Sequence, residues 1–322
     1  MDSGGTGSNG AMVVGNSVAE IAWLYYVKGL NQAEIAKKMG LSRPTIIAHL
    51  KTARAKGIVT IKLDPQHLRM NELSDRLVET FNLESAHVVP REGQKGMALT
   101  QAVSEVAAHL LPSFLKECDV VGVSWGQTLA LVAQETPLWP IEGLVVRQLI
   151  GSMSNPTIMT AESCTTDIAR SLGGRAVNLN APAVVSRTEL ASQLREEAII
   201  KRQLENLGSC NKSLFSISLC TPDSHVVAFN VATPGEVEEY ARRGAVCNLV
   251  GRFLDIEGNQ VEGPLDRRVF AAEVEEIRQM EGMMIVAGSK KVAATLAALR
   301  GGFAKWLVID DLLAERVLRA ET

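Results

Sequence analysis

From about Ala86 to the C-terminus, short apolar runs alternate with amphipathic stretches, and this alternation restricts the fold more than any other feature of the chain. The apolar runs are 87–89, 120–123, 144–149, 176–179, 214–219, 283–287 and 306–309. Helical spacing occupies 98–116, 127–134, 160–172, a polar stretch near 189–206, and 291–299. A strand that is apolar on both sides has to be covered on both faces, and strands separated by helices pair in parallel. The expectation is an open, Rossmann-like, mostly parallel α/β sheet. Ligands of such sheets sit at the carboxyl ends of the strands, so the loops that follow strands are the places to look for chemistry.

The stretch 31–57 is built differently. Asn31 is placed to cap a short helix, Gly40 to stop it, and Ser42 to cap a second helix carrying Arg43, Lys51, Arg54 and Lys56. Ile35 and Ala36 on the first segment, and Ile46, Leu50 and Ala53 on the second, supply apolar faces that lock the two together. Ser42, Arg43, Pro44, Ile47, Ala48 and Lys51 then point outward from a short helix that fits a DNA major groove. The plain alternative is a helical hairpin that only packs; cap, glycine turn and basic second helix together favour DNA. Residues 17–28 read as a bracing helix with Ile21, Leu24 and Tyr25 on one face, and 58–63 as a strand that forms a wing before Asp64-Pro65.

Charge divides the same way. Residues 17–69 hold nine Lys and Arg against three acids, a local charge of +6 in a chain whose net charge is −3, which leaves −9 for the remainder. A basic head on an acidic body suits a protein that meets phosphate backbone at one end only. Five widely spaced cysteines without a C-x-x-C pair support neither a disulfide framework nor a zinc site. No apolar run approaches a membrane span, so a cytoplasmic protein with no membrane partner is expected. The resulting division is a Gly/Ser-rich flexible tail over 1–16, a winged helix-turn-helix domain over 17–65, a linker helix over 66–82, and a large effector and oligomerisation domain over 83–322. Leu73, Leu77, Val78 and Phe81 form the stripe by which the linker helix docks on the body or on a partner chain.

Among the loops after strands, Ser124-Trp125-Gly126-Gln127-Thr128 stands out. A strand delivers it to the start of a helix, where free N–H groups and hydroxyls can surround an anion such as phosphate. A glycine turn of purely structural purpose is the alternative.

The pattern Gln32, Glu34-Ile35-Ala36, Gly40-Leu41-Ser42-Arg43-Pro44-Thr45, Leu50, Ala53-Arg54, Gly57-Ile58-Val59 resembles the N-terminal helix-turn-helix of the SorC family of sugar-binding transcriptional regulators. The resemblance continues to the far end of the chain. Cys247-Asn248-Leu249-Val250-Gly251-Arg252-Phe253-Leu254-Asp255 resembles the family segment in which an aspartate meets sugar hydroxyls, which carries that role to Asp255. Val286-Ala287-Gly288-Ser289-Lys290-Lys291, with Leu299-Arg300-Gly301-Gly302 behind it, resembles the late loop whose lysine lies near the ligand, with Lys291 the counterpart and Lys290 beside it. Gly151-Ser152 occupies the place of a glycine pair in many relatives.

The resemblance implies a regulator of a carbohydrate or polyol operon. It would bind operator DNA through Gln32, Ser42, Arg43, Pro44, Thr45, Lys51 and Arg54, and a phosphorylated sugar or polyol through Ser124 to Thr128, Gly151, Ser152, Asp255 and Lys291. It would act as a homo-oligomer, dimer or tetramer, and no cofactor or metal is expected. Ile47-Ala48-His49 stands where relatives commonly carry Ser-Arg-Leu, so base reading falls to Arg43, Thr45 and the apolar edge of Ile47. The bland roles remain open: Asp255 before Glu257-Gly258 as the shaper of a hairpin turn, and Lys290 and Lys291 as solvated charges. The implied fold is shared with ribose-phosphate isomerases and glucosamine-phosphate deaminases, so a rival reading is an enzyme with Asp255 or Asp310-Asp311 as its proton-moving carboxylate. A third is a helix-turn-helix protein whose body only oligomerises.

Overall fold

A computed structural model describes residues 10–61, 65–153 and 160–322. The chain divides into two compact units, Met1–Asp64 and Pro65–Thr322.

In the first unit, α1 (Gly10–Tyr26) precedes α2 (Gln32–Met39) and α3 (Arg43–Ala55). The Asn31 side chain accepts from Ala33 and Glu34 N–H while the Glu34 carboxylate accepts from Asn31 N–H, a reciprocal capping box. Gly40 ends α2 at φ 67°, a left-handed conformation that costs glycine nothing. Ile21, Leu24, Ile35, Ile46 and Leu50 meet in one small core. Two expectations change here. The helix extends back to Gly10, into the stretch read as tail, because Ala11 to Val14 contain no breaker. The wing strand is absent over 58–61, which turn without pairing; a strand needs a ladder partner, and this unit offers none among its described residues. Residues 62–63 of that expected strand lie outside the described residues.

The second unit opens with α4 (Pro65–Phe81) and continues β1 (Ser85–Val89), α5 (Gly96–Phe114), β2 (Val120–Val123), α6 (Gln127–Glu135), β3 (Val145–Gln148), α7 (Ala161–Ser171) and β4 (Arg175–Val177). After α8 (Thr188–Glu196) and α9 (Ala198–Glu205) come β5 (Lys212–Phe215), β6 (Ser218–Leu219), α10 (His225–Ala228), α11 (Pro234–Arg242), β7 (Cys247–Leu249) and β8 (Arg252–Leu254). The chain ends with α12 (Val274–Gln279), β9 (Glu281–Val286), α13 (Val292–Arg300), β10 (Trp306–Asp310) and α14 (Asp311–Glu321).

Seven strands form one sheet in the order β1-β10-β9-β5-β2-β3-β4, every pair parallel. Successive side chains of a strand face opposite sides, so each inner strand feeds two cores. Val121, Val123, Leu214, Met283, Ile285 and Val308 pack with Leu99, Val103 and Leu111 of α5 and Leu129 and Val132 of α6. Phe215, Met284, Val286, Leu307 and Ile309 pack on the other side with Leu73 and Leu77 of α4 and Leu313 and Val317 of α14. The linker helix thus docks on the body: Ser74 accepts from Val88 N–H at 3.3 Å, and Arg69 pairs with Glu315.

The expected strand over 214–219 is two strands. β5 leaves the main sheet at Phe215, and β6 pairs antiparallel with β7, which pairs with β8 in a separate three-stranded sheet. The polar helix near 189–206 likewise breaks at Glu197, whose extended backbone (ψ 124°) ends α8 and starts α9. No helix among the described residues is long and apolar enough to cross a membrane.

Because Leu77 is fully enclosed between α4 and the body, Leu77→Ala is expected to cost about 2–5 kcal/mol, read as a lower urea midpoint of the full-length chain. An unchanged midpoint would mean that α4 does not pack as described.

Candidate functional site

Strand order reverses between β5 and β2: from β2 the chain steps outward to β3 and β4, and from β5 it steps the opposite way to β9 and β10. Such a reversal opens a crevice at the carboxyl ends of the strands. The loops after β2, β5 and β9 meet there around a cavity of about 340 Å³, large enough for a small ligand.

The loop after β2 contributes Ser124, Trp125, Gly126, Gln127 and Thr128, all five lining the cavity. Ser124 is held by its N–H on Leu214 O at 2.9 Å, and Trp125 lies edge-on to Phe229 with centroids 5.0 Å apart. Gly126 takes φ 100°, a conformation open to glycine, and turns the chain from strand into α6. No side chain caps α6, so its first-turn N–H groups, which have no intrahelical partner, remain for a ligand. Ser216 Oγ, from the loop after β5, donates to Thr128 Oγ1 at 3.5 Å.

Lys291 arrives from the loop after β9, at the start of α13. Its ammonium donates to Ile217 O at 2.9 Å, and no ion pair with it occurs among the described residues. Burial pushes the amine down to about 8, because a charged group loses its hydration there. His225 lies near Gly126, whose position is 4.0 Å from His225 Nδ1 when measured to an ideal Cβ. Burial, and then the charge of Lys291, lower the pKa of His225. Among the described residues, no Asp or Glu lines this cavity.

Three expected site residues stand elsewhere. Asp255 does not line the cavity: its carboxylate accepts from Glu257 and Asn259 N–H and from Asn259 Nδ2, which makes it the turn-former after β8. Gly151 and Ser152 are also outside the lining. They form a backbone seam, with Ser152 N–H on Ala181 O at 2.7 Å, and a Cβ at Gly151 would stand 2.5 Å from that same oxygen. Lys290, beside Lys291, is exposed. Asp310 accepts from Gly288 N–H at 2.7 Å and from Leu313 N–H at 3.1 Å, so both its oxygens hold backbone.

In place of Asp255 the cavity has Asn248, seven residues earlier on β7. Asn248 is 3% exposed; its Oδ1 accepts from Gly251 N–H at 3.1 Å while its Nδ2 is buried without a partner. A lone polar residue inside the apolar run Cys247-Asn248-Leu249-Val250 was the available signal. Thr100, Ser216, Ser218 and His225 carried none, since none of them belongs to a motif that marks a ligand site. Among the described residues no group of three or more His, Cys, Asp or Glu is arranged to hold a metal ion.

In the other unit, Ser42 caps α3 through Thr45 N–H at 3.2 Å, and its hydroxyl meets Thr45 Oγ1 at 2.7 Å. Arg43 Nε donates to Gln32 Oε1 at 3.3 Å, joining the two helices on their outer face. Ser42, Arg43, Pro44 and Lys51 are exposed and Thr45 partly so, while Ile46, Leu50 and Ala53 are buried. Arg54 donates to Tyr26 OH at 2.8 Å, which ties its guanidinium to α1.

Known proteins match both units. A sugar-binding domain family model (Sugar-bind) covers residues 66–319, and a winged helix-turn-helix DNA-binding model covers residues 28–60. The chain belongs to the SorC family of sugar-binding transcriptional regulators. Its relatives include the uncharacterised transcriptional regulator YjhU of Escherichia coli, 31% identical over 98% of both chains. The deoxyribonucleoside regulator of Bacillus subtilis is 29% identical over 93% of this chain and 96% of its own. The full-length sorbitol operon regulator SorC of Klebsiella pneumoniae shares the fold, with a TM-score of 0.74 over 97% of this chain and 100% of that one at 24% identity.

An anion bound beside the half-buried amine of Lys291 is expected to show a pH-dependent affinity. Below about 8 Lys291 is already charged, and above it an anion has to draw a proton onto the amine as it binds. Phosphate affinity is therefore expected to fall by up to about tenfold per pH unit above that point, and Lys291→Arg, which stays charged, to flatten the profile. Calorimetric titration with inorganic phosphate on both sides of the transition checks this, and a wild-type profile as flat as the arginine variant's would refute it.

Proposed function

We propose that this protein is a DNA-binding regulator of a carbohydrate or polyol catabolic operon, controlled by a phosphorylated sugar or polyol bound in the cavity of residues 65–322. The observation that carries the reading is the pairing of an uncapped helix start at Gly126 to Thr128 with the half-buried ammonium of Lys291, in a cavity whose described lining holds no carboxylate. A half-buried cation held by a carbonyl rather than a carboxylate is only partly compensated, and an anionic ligand supplies the missing charge. The names of the sorbitol operon and deoxyribonucleoside regulators support sugar-derived effectors. With Asp255 and Asp310 engaged by backbone N–H groups, a proton-moving carboxylate is missing where an isomerase would need it, which supports a regulator over an enzyme.

On the DNA side, Arg43 and Thr45 read bases, Ile47 offers an apolar edge to a thymine methyl, and Gln32 fixes the Arg43 guanidinium. Ser42, Pro44, Lys51 and Arg54 set the helix on the phosphate backbone. One small head buries little surface, so the protein works as a homo-oligomer, dimer or tetramer, in the cytoplasm where operator DNA lies. The head spans 17–65, the linker helix 66–82 and the effector domain 83–322, a division supported by the compact units on either side of Asp64. A route by which the effector acts on the linker helix runs through packed groups. Gly288, in the Lys291 loop, is held by Asp310; Asp310 caps α14, and α14 packs on α4. An effector that prefers one arrangement of this loop shifts the helix that leads to the head.

Arg43→Ala is expected to lose about 1–3 kcal/mol on operator DNA and little on scrambled DNA, whereas Lys51→Ala weakens both alike. Gel shifts on the two DNAs decide it, and equal losses for Arg43→Ala would remove its base-reading role. Lys291→Ala and Thr128→Val should leave ligand-free operator affinity unchanged and abolish or blunt the effector response. Operator titrations with and without effector test this; a full response in Lys291→Ala means that the cavity is not the effector site.

A further inference from the structure

The cavity has a sidedness in its polar groups. On one side stand Gly126 and Thr128 at the start of α6, with Ser216 and His225 beside them. On the other stand Ser218 and Asn248, opposite each other in the β6–β7 pair. Lys291 Nζ donates to the carbonyl of Ile217, the residue between Ser216 and Ser218 in the chain, and lines the same cavity.

On the second side, free side-chain donors outnumber free side-chain acceptors among the described residues. Asn248 Oδ1 is committed to Gly251 N–H, Ile217 O to Lys291, and no carboxylate is present. Donors remain: Asn248 Nδ2, enclosed and without a partner, and the Lys291 ammonium. The amide cannot be turned around to change this, because Gly251 N–H requires an oxygen opposite it. A carboxylate offers these donors two oxygens and brings no proton of its own, whereas a sugar or polyol hydroxyl offers one oxygen and needs Ser218 Oγ to take its proton. A buried donor left unpaired carries the full cost of its desolvation, so the group that belongs at this end is one that only accepts.

We propose that the effector is acidic at both ends: a phosphorylated sugar acid, whose phosphate lies on the first turn of α6 and whose carboxylate is taken by Asn248 Nδ2 and Lys291. The inference rests on the reading that the cavity binds a phosphorylated effector, and it replaces an alcohol or aldehyde terminus by a carboxylate. The hydroxyls of Thr100, Ser216 and Ser218, which both donate and accept, serve the carbons between the two ends. Trp125 and Val250 give the carbon chain an apolar wall.

The test is calorimetric titration of the full-length protein with matched pairs that differ only at the terminal carbon. One pair is 6-phosphogluconate and glucitol 6-phosphate; a shorter pair is 4-phosphoerythronate and erythritol 4-phosphate. In at least one pair the acid is expected to bind about tenfold or more tighter than the polyol, since a site built for a polar group rejects the analogue that leaves it unpaired. Asn248→Asp keeps the bond to Gly251 N–H while replacing the free donor by a repelling acceptor, and is expected to abolish or reverse the preference. Should that variant fail to fold, Asn248→Ala is expected to erase the preference while inorganic phosphate still binds. No preference for the acid in either pair overturns the proposal and leaves phosphate recognition standing. A wild-type protein that binds none of these compounds and no inorganic phosphate overturns the underlying reading as well.

Discussion

Burial of the central strands on both faces is the constraint from which the rest of the effector unit follows. β9, β5 and β2 carry Met283, Ile285, Leu214 and Val123 toward one core and Met284, Val286 and Phe215 toward the other, and the charged pair Lys212–Glu281 is confined to the starts of β5 and β9. Polar chemistry is therefore pushed to the strand ends. The three loops that follow these neighbouring strands converge, because parallel strands place all their carboxyl ends on one side. Ser124, Ser216 and Lys291 lie more than seventy residues apart in sequence and yet line one cavity.

The irregularities around that cavity have local causes. The chain leaves the main sheet after Phe215, and Ile217 offers its carbonyl to Lys291 instead of to a ladder. This contact holds the Lys291 ammonium at the cavity lining, where no Asp or Glu stands among the described residues. Asp310 does related work behind the cavity: one carboxylate holds the loop before Lys291 and caps α14, so the ligand-facing loop and the helix against α4 share a single buried anchor. The small antiparallel sheet β6-β7-β8 brings Asn248 in from a distant part of the chain and closes the remaining side.

Legibility followed the range of the interactions involved. The capping box at Asn31 and Glu34, the stop at Gly40 and the cap at Ser42 are contacts between residues two to four apart, and all were readable from residue types alone. The strand and helix alternation was readable for the same reason. The Thr233 and Glu236 box that starts α11 was equally local and was passed over, as the strands β7 and β8 were, because three-residue strands leave too short a pattern for periodicity. The wing strand failed in the opposite sense: 58–63 alternates well, but alternation describes a strand only where another strand is present to pair.

The sequence by itself determined a basic helix-turn-helix ahead of a parallel α/β body, because caps, glycine turns and burial patterns are encoded within a few residues; the loop at Ser124 to Thr128 was legible as a strand-to-helix glycine turn, Lys291 came from the family resemblance, and the structure brings both to one cavity. Tertiary structure alone decided which polar residues share the cavity. Asp255 and Asn248 lie in one short segment, and nothing in their spacing says which faces the ligand. The β7–β8 hairpin decides: the strand position of Asn248 points its side chain into the crevice, while Asp255, just past the end of β8, spends its oxygens on the turn. That choice depends on strand register and on which neighbouring backbone N–H groups are left unpaired, and both are set only when distant segments come together.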